Sequence, residues 1–166
     1  MRQTFGVTLY EARRFAEAES TLRKLIEFDP GYTNGRTSLA EVLLAEGRFD
    51  EAITVARQNL DVAGDHRSRA VGILARAYAM AGQPAKAREL LRGLLARAEH
   101  ESVSAAPIAL VYDALGERDL ALQWLARGVA EYDSMLRTHG RGPLFDRLRA
   151  DPRGAVLFAK METVKD

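Results

Sequence analysis

The chain contains no cysteine, which excludes disulfides and thiolate metal sites and fits a reducing compartment. It has no run of 18 apolar residues, and no basic segment followed by an apolar one at its start. A membrane-spanning or signal segment is therefore not expected, and a cytoplasmic location is. An excess of one charge is also missing. Lys and Arg number 24 against 23 Asp and Glu, for a formal net charge of +1. Arginines scattered along polar faces give no electrostatic footprint for direct nucleic-acid binding.

Catalytic constellations are missing as well. His66, His100 and His139 stand 34 and 39 residues apart, not at the i, i+4 spacing by which a helix presents two zinc ligands, and they read as polar turn residues. Gly140-Arg141-Gly142 has no preceding strand, no downstream Lys-Ser/Thr and no third glycine, so it is not a phosphate loop. No Ser or Thr has a histidine in register, and no nucleophile elbow is present. Neither an enzyme nor a cofactor or metal site is expected. No strand pattern competes with a helical one, and Ala, Leu, Arg and Glu dominate the composition as good helix formers. The fold class is all-α.

What is present is a repeat. Ala18, Ala52, Ala87 and Ala121 are spaced 34, 35 and 34 residues apart. Other columns keep the same register: Gly6, Ala40, Ala75 and Ala109; Leu9, Leu43, Tyr78 and Tyr112; Arg13, Gly47, Gly82 and Gly116. Such periodicity marks a solenoid. Phe5 with Leu9, Leu39 with Leu43, Leu74 with Tyr78 and Ile108 with Tyr112 are four apart, so each pair projects from one face of a first helix. The small residue after the first member of each pair leaves room for a second helix. The glycine column stops the first helix through positive φ. A second helix follows at once, with the alanine column and then Leu22, Ala56, Leu91 or Leu125 on its inner face. Pro30 and Gly64 punctuate the ends of the first two units.

The columns resemble the tetratricopeptide repeat, as in Gly6-Val7-Thr8-Leu9, Phe15-Ala16-Glu17-Ala18 and Pro30, echoed by Leu39-Ala40, Gly47-Arg48-Phe49 and Ala52. The family's tryptophan column is absent, and Pro84 and Arg118 replace the aromatic of Phe15 and Phe49. The resemblance implies a right-handed α-α solenoid of about four helix pairs over roughly residues 1–32, 33–67, 68–101 and 102–133, closed by C-terminal capping helices over 134–166.

In the tail, Gly140-Arg141-Gly142-Pro143 breaks the helical pattern, Leu144, Phe145 and Leu148 form a short apolar stripe, and Asp151-Pro152 reads as an N-cap and first-turn proline. Val156, Leu157 and Met161 are expected to share a face of the last helix, and Trp124 to pack under the tail. A cap is needed because the last unit of a solenoid otherwise exposes its apolar side. The run Ala121-Leu122-Gln123-Trp124-Leu125 with Pro143-Leu144-Phe145-Asp146-Arg147-Leu148-Arg149-Ala150-Asp151-Pro152-Arg153 also resembles the C-terminal end of bacterial multidomain regulators, in which a winged-helix, adenylate cyclase or kinase domain precedes the repeats. Gly154 departs from that pattern, which usually has an aromatic there. By this resemblance the chain is the C-terminal regulatory part of a longer signalling or transcription protein. The first repeat begins without a capping segment, so its edge is expected to be completed by upstream chain or by a second copy in a homo-dimer.

The resemblance implies a non-enzymatic module that binds a protein or peptide in the concave groove lined by the first helices. Column by column this places Gln3, Val7 and Tyr10, then Asn34, Thr37 and Glu41, then Arg69 and Arg76, then Leu110 and Asp113 in the groove. Arginine suits bidentate carboxylate recognition, so Arg69 and Arg76 with Asn34 are candidates for an acidic group, against the plainer reading of solvated helix charges. The lysine-and-asparagine clamp by which some members hold chaperone C-termini is not matched: Gln3 and Val7 stand at its first two positions, and Gly72 or Ile73 near its last. Control of an attached cyclase or kinase domain by docking, and small-molecule sensing in the groove, are the alternative functions.

Overall fold

The computed structural model describes residues 2–62 and 67–163. Eight helices form four consecutive pairs: α1 (Arg2–Glu11) with α2 (Phe15–Phe28), α3 (Thr33–Ala45) with α4 (Phe49–Val62), α5 (Arg67–Met80) with α6 (Pro84–Ala98), and α7 (Ala105–Ala114) with α8 (Arg118–Ala130). The tail adds α9 (Ser134–His139), a 3-10 turn (Pro143–Phe145), α10 (Asp146–Arg149) and α11 (Pro152–Thr163). Among the described residues there is no strand, and the fold is an all-α helical solenoid.

The small-residue columns do what close helix packing requires. Ala18, Ala52, Ala87 and Ala121 are fully buried, as are Ala40, Ala75 and Ala109. A Cβ at Gly6 would come within 2.9 Å of Leu22 Cδ2. The turn column is equally uniform. Gly47, Gly82 and Gly116 have φ of 75°, 73° and 79°, and Arg13, their counterpart in the first pair, has φ 60°. At each turn two amides close back on the preceding helix: Arg48 N–H donates to Leu43 O and Gly47 N–H to Leu44 O, and the same two bonds recur at Gly82, Gly116 and Arg13. This is the Schellman motif, in which a left-handed residue lets the last carbonyls find donors. Tyr132, with φ 55°, ends α8 the same way. The two departures from the aromatic column open helices: Pro84 is the first residue of α6, where its missing N–H costs nothing, and Arg118 begins α8.

Neighbouring pairs share an ionic register. Glu19 on α2 meets Arg48 after the next turn at 2.7 Å, and Arg88 on α6 meets Glu117 at 2.9 Å. Each couple spans 29 residues at equivalent repeat positions with the charges exchanged. Arg48 also holds Glu46 and Glu51. Glu19 is held below the usual carboxylate range, chiefly by its hydrogen bond from Arg48.

The buried side chains fall into two clusters. Leu9, Tyr10, Leu22, Leu39, Leu43, Ile73 and Leu74 belong to one; Leu91, Ile108, Val111, Leu125, Leu136, Phe145 and Leu148 belong to the other. Helix α5 contributes to both, through Ile73, Leu74 and Ala77 on one side and Ala75 on the other. The tail therefore shares its core with α7 and α8. Helix α11 packs on α8, with Asp151 Oδ1 capping it by accepting from Arg153 N–H at 2.9 Å. The expected face of α11 is corrected in one residue. Val156 is exposed and Phe158 is buried, because the packed stripe runs through Gly154, Leu157, Phe158 and Met161, at the i, i+3, i+4, i+7 spacing of a helix face. An added Cβ at Gly154 would lie 1.9 Å from Leu148 O, so no side chain fits at that contact.

Candidate functional site

Helices α1, α3, α5 and α7 pack successively on one another and form the inner layer, with α2, α4, α6 and α8 outside. The inner layer is where a solenoid concentrates side chains from different repeats on one curved surface. The structure brings five of the expected groove residues together: Thr37, Glu41, Arg69, Arg76 and Leu110 line one small cavity of about 10 Å³. That volume is at the limit for a single water molecule.

The groove is not open, in contrast to the expectation. Met135 from α9 and Leu144 from the 3-10 turn line the same cavity, so the tail crosses the inner face as well as capping α8. Among the described residues it reaches the first repeat at Arg13 and at Glu11. Arg13 Nη2 lies 2.6 Å from Asp146 Oδ2, and His139 Nδ1 lies 3.4 Å from Glu11 Oε1. Nearer its root, Asp113 at the end of α7 holds Arg118 at 2.5 Å and Arg147 at 3.5 Å. Arg149 donates to Gly140 O and Gly142 O and pairs with Asp146, which ties the chain reversal together.

Tyr10, Thr37, Glu41, Leu110 and Asp113 are buried, Val7, Arg69 and Arg76 half-buried, and Asn34 exposed. The side chains of Gln3 and Phe5, and Gly64 and His66 altogether, lie outside the described residues. Burial pushes the Tyr10 phenol well above its ordinary range; Glu41 adds to the rise and Arg76 opposes it. Thr37 has a structural task. Its hydroxyl donates to Thr33 O at 3.1 Å and accepts from Nδ2 of Asn59 at 2.9 Å. Asn59, fully buried on α4, was not legible as a groove partner, since a lone asparagine on a second helix carries no pattern.

The two arginines of α5 are the chemically active part of the cavity. Arg69 Nη2 stands 3.8 Å from Glu41 Oε1, too long for a hydrogen bond. Among the described residues, Arg69 Nε and Arg76 Nη1 are buried without a hydrogen-bond partner. A buried donor left without an acceptor costs about 1–3 kcal/mol. Asn34, the third candidate for an acidic group, does not line the cavity with them.

A larger cavity of about 750 Å³ opens at the C-terminal end, lined by Gly128, Tyr132, Leu136, Arg137, Phe158 and Met161 among others. Trp124 is half-buried against the C-terminal core, with the Arg127 guanidinium 4.9 Å from its ring centroid. His100 is exposed in the turn after α6. Among the described residues, no helix is long and apolar enough to cross a membrane.

Models of the tetratricopeptide repeat family match the chain over residues 9–77 and again over residues 68–92. No curated protein matches it.

Proposed function

We propose, from the premise that this chain carries tetratricopeptide repeats, that it is a non-enzymatic module that binds a segment of a partner protein across its inner face. Repeats of this family mediate protein–protein interaction and form a non-catalytic module. The observation that carries the groove assignment is the convergence of Thr37, Glu41, Arg69, Arg76 and Leu110, from three different repeats, on one inner-face cavity. Polar groups from separate elements facing one concave surface provide orientation and specificity, while the apolar lining provides burial. A photoreactive phenylalanine analogue in place of exposed Asn34, on inner-layer helix α3, is expected to cross-link a partner in the native host. The same analogue at exposed Glu89 on outer helix α6 is not. Equal yields from the two positions refute the groove assignment.

The place of the module in a longer bacterial regulator rests on the resemblance of residues 121–125 and 143–153. That run forms the cap: Asp146 and Arg149 lock the reversal, and Arg153 joins Asp151 to Asp119 of α8. The coding sequence upstream of Met1 tests it. A winged-helix, cyclase or kinase pattern supports the reading, and a genuine start with its own ribosome site refutes it.

A second reading, small-molecule sensing, is favoured by the 750 Å³ cavity, a size typical of small-ligand sites. It moves the sensing site from the groove to the C-terminal end. A metabolite that raises the Tm of the native chain but not of Thr138→Trp, a bulky change at an exposed residue lining that cavity, supports it; equal shifts refute it.

A further inference from the structure

We propose that the groove is held shut by the protein's own C-terminal cap through a two-point polar clasp, Arg13 with Asp146 and Glu11 with His139, and that it opens to admit an acidic segment of a partner protein whose carboxylates engage Arg69 and Arg76. The proposal rests on the groove-binding reading above and names the chemistry and the control of that site.

The cap and the first repeat belong to different bodies of the core. Leu136, Phe145 and Leu148 are buried with α7 and α8; Leu9, Tyr10 and Leu22 are buried with α3 and α4. The cap can therefore keep its own apolar anchors while it separates from the first repeat. Among its links to that repeat, the Arg13–Asp146 pair is polar and wet, whereas the His139 side chain opposite Glu11 is only 17% exposed. The side chains of Arg13 and Asp146 are 59% and 38% exposed, and pairs exposed to this degree hold weakly and are screened by salt. A latch that closes reversibly needs such a weak contact.

Arg13 is an unusual residue for its place. The other three turns have glycine at this position, and Arg13 adopts the same left-handed backbone, φ 60°, which disfavours any residue with a Cβ. What arginine supplies there is a guanidinium that reaches Asp146, 133 residues away.

The closed groove is also chemically incomplete. Over the arginines the cap places Met135 and Leu144, which bring apolar cover and no strong acceptor. Arg69 Nε and Arg76 Nη1 stay without acceptors among the described residues. A carboxylate offers these donors charge-assisted hydrogen bonds in the bidentate geometry that guanidinium favours. An acidic segment therefore gains at this site what the cap does not provide, and its binding shifts the clasp toward open.

The absence of native cysteine allows spin labels at Ala12→Cys and Thr138→Cys, on either side of the clasp, in the full chain. Distances are measured by pulsed electron resonance for the native background, Arg13→Asp, Asp146→Arg and the double exchange. Each single reversal is expected to enlarge a longer-distance population roughly threefold, the scale of an exposed ion pair, and the double exchange to restore the short distance. Unchanged distances in both single variants overturn the clasp. Binding is read by anisotropy with a fluorescein-labelled decapeptide of alternating Glu and Leu, and with its Lys and Leu counterpart. The acidic peptide is expected to bind Arg13→Asp roughly threefold more tightly than the native chain, and Arg69→Ala/Arg76→Ala in that background to lose the binding but keep the long distances. Equal affinity for both peptides overturns the acidic partner and leaves groove binding standing. Failure of both peptides on an opened variant overturns the groove reading as well.

Discussion

Asn59 offers a sharp test of how the inner layer is sealed. It is fully buried, its Nδ2 donates to the Thr37 hydroxyl at 2.9 Å, and among the described residues its Oδ1 has no hydrogen-bond partner. Asn59→Asp changes almost no volume but introduces a group that ionises. Full burial raises the pKa of a carboxyl by up to 3–5 units; with a folded-state value near 7 against about 3.9 in the unfolded chain, the difference is about 3 units, or roughly 4 kcal/mol at about 1.36 kcal/mol per unit. The folded-state value lies above the unfolded one, so the native state binds the extra proton. The variant is then nearly as stable as the native chain below about pH 4 and loses stability as pH rises from there to about pH 7. Asn59→Leu removes the orphan carbonyl, while Thr37 keeps its bond to Thr33 O, so it is expected to stay within about 1 kcal/mol of native at every pH. Urea unfolding followed by circular dichroism, across that pH range, measures both. A cost for Asn59→Asp of less than about 1 kcal/mol that does not change with pH would refute the reasoning, because it would mean that water reaches this position.

Gly154→Ala is expected to cost about 3 kcal/mol or more, since its Cβ meets the Leu148 carbonyl and backbone cannot yield as a side chain does. Gly116→Ala, with φ 79° and nothing within 4 Å of the new Cβ, should cost only about 1 kcal/mol of conformational strain; equal losses of Tm in the two variants would contradict the distinction. Because Arg48 holds the Glu19 carboxyl below its usual range, the stability it contributes is present above that range and is lost as pH falls through the lowered value. Glu19→Gln is therefore expected to cost about 1 kcal/mol at neutral pH and nothing once both states are protonated, and a cost that persists in acid would count against the ion pair. Exchanging Arg88 and Glu117 recreates the polarity that Glu19 and Arg48 already have, so Arg88→Glu/Glu117→Arg should lie within about 0.5 kcal/mol of native in urea unfolding while each single reversal loses more.

Arg118 shows how a departure from the repeat pattern became intelligible only in three dimensions. In the column of Phe15 and Phe49 it is a polar misfit; in the fold its guanidinium meets Asp113 at 2.5 Å and donates to Arg147 O. Val156 shows the reverse. Its apolar character placed it in the core of the last helix, but the packed face is chosen by which side of α11 meets α8, and that side holds Phe158. The groove residues divide in the same manner. Tyr10, Glu41, Arg69 and Arg76 were reached by counting columns, whereas the cover of Met135 and Leu144 above them was not, since it obeys no period.

The sequence by itself determined the helix pairs, the buried alanine columns and the left-handed turns at Gly47, Gly82 and Gly116, because in a solenoid these depend on contacts within a unit or with its nearest neighbour, and such contacts recur at the repeat spacing. Only the tertiary structure decided that the tail lies across the inner face and meets the first repeat. That contact joins Arg13 to Asp146 across 133 residues and occurs once, so no periodicity records it. Its one trace in the sequence is an arginine in a column of glycines.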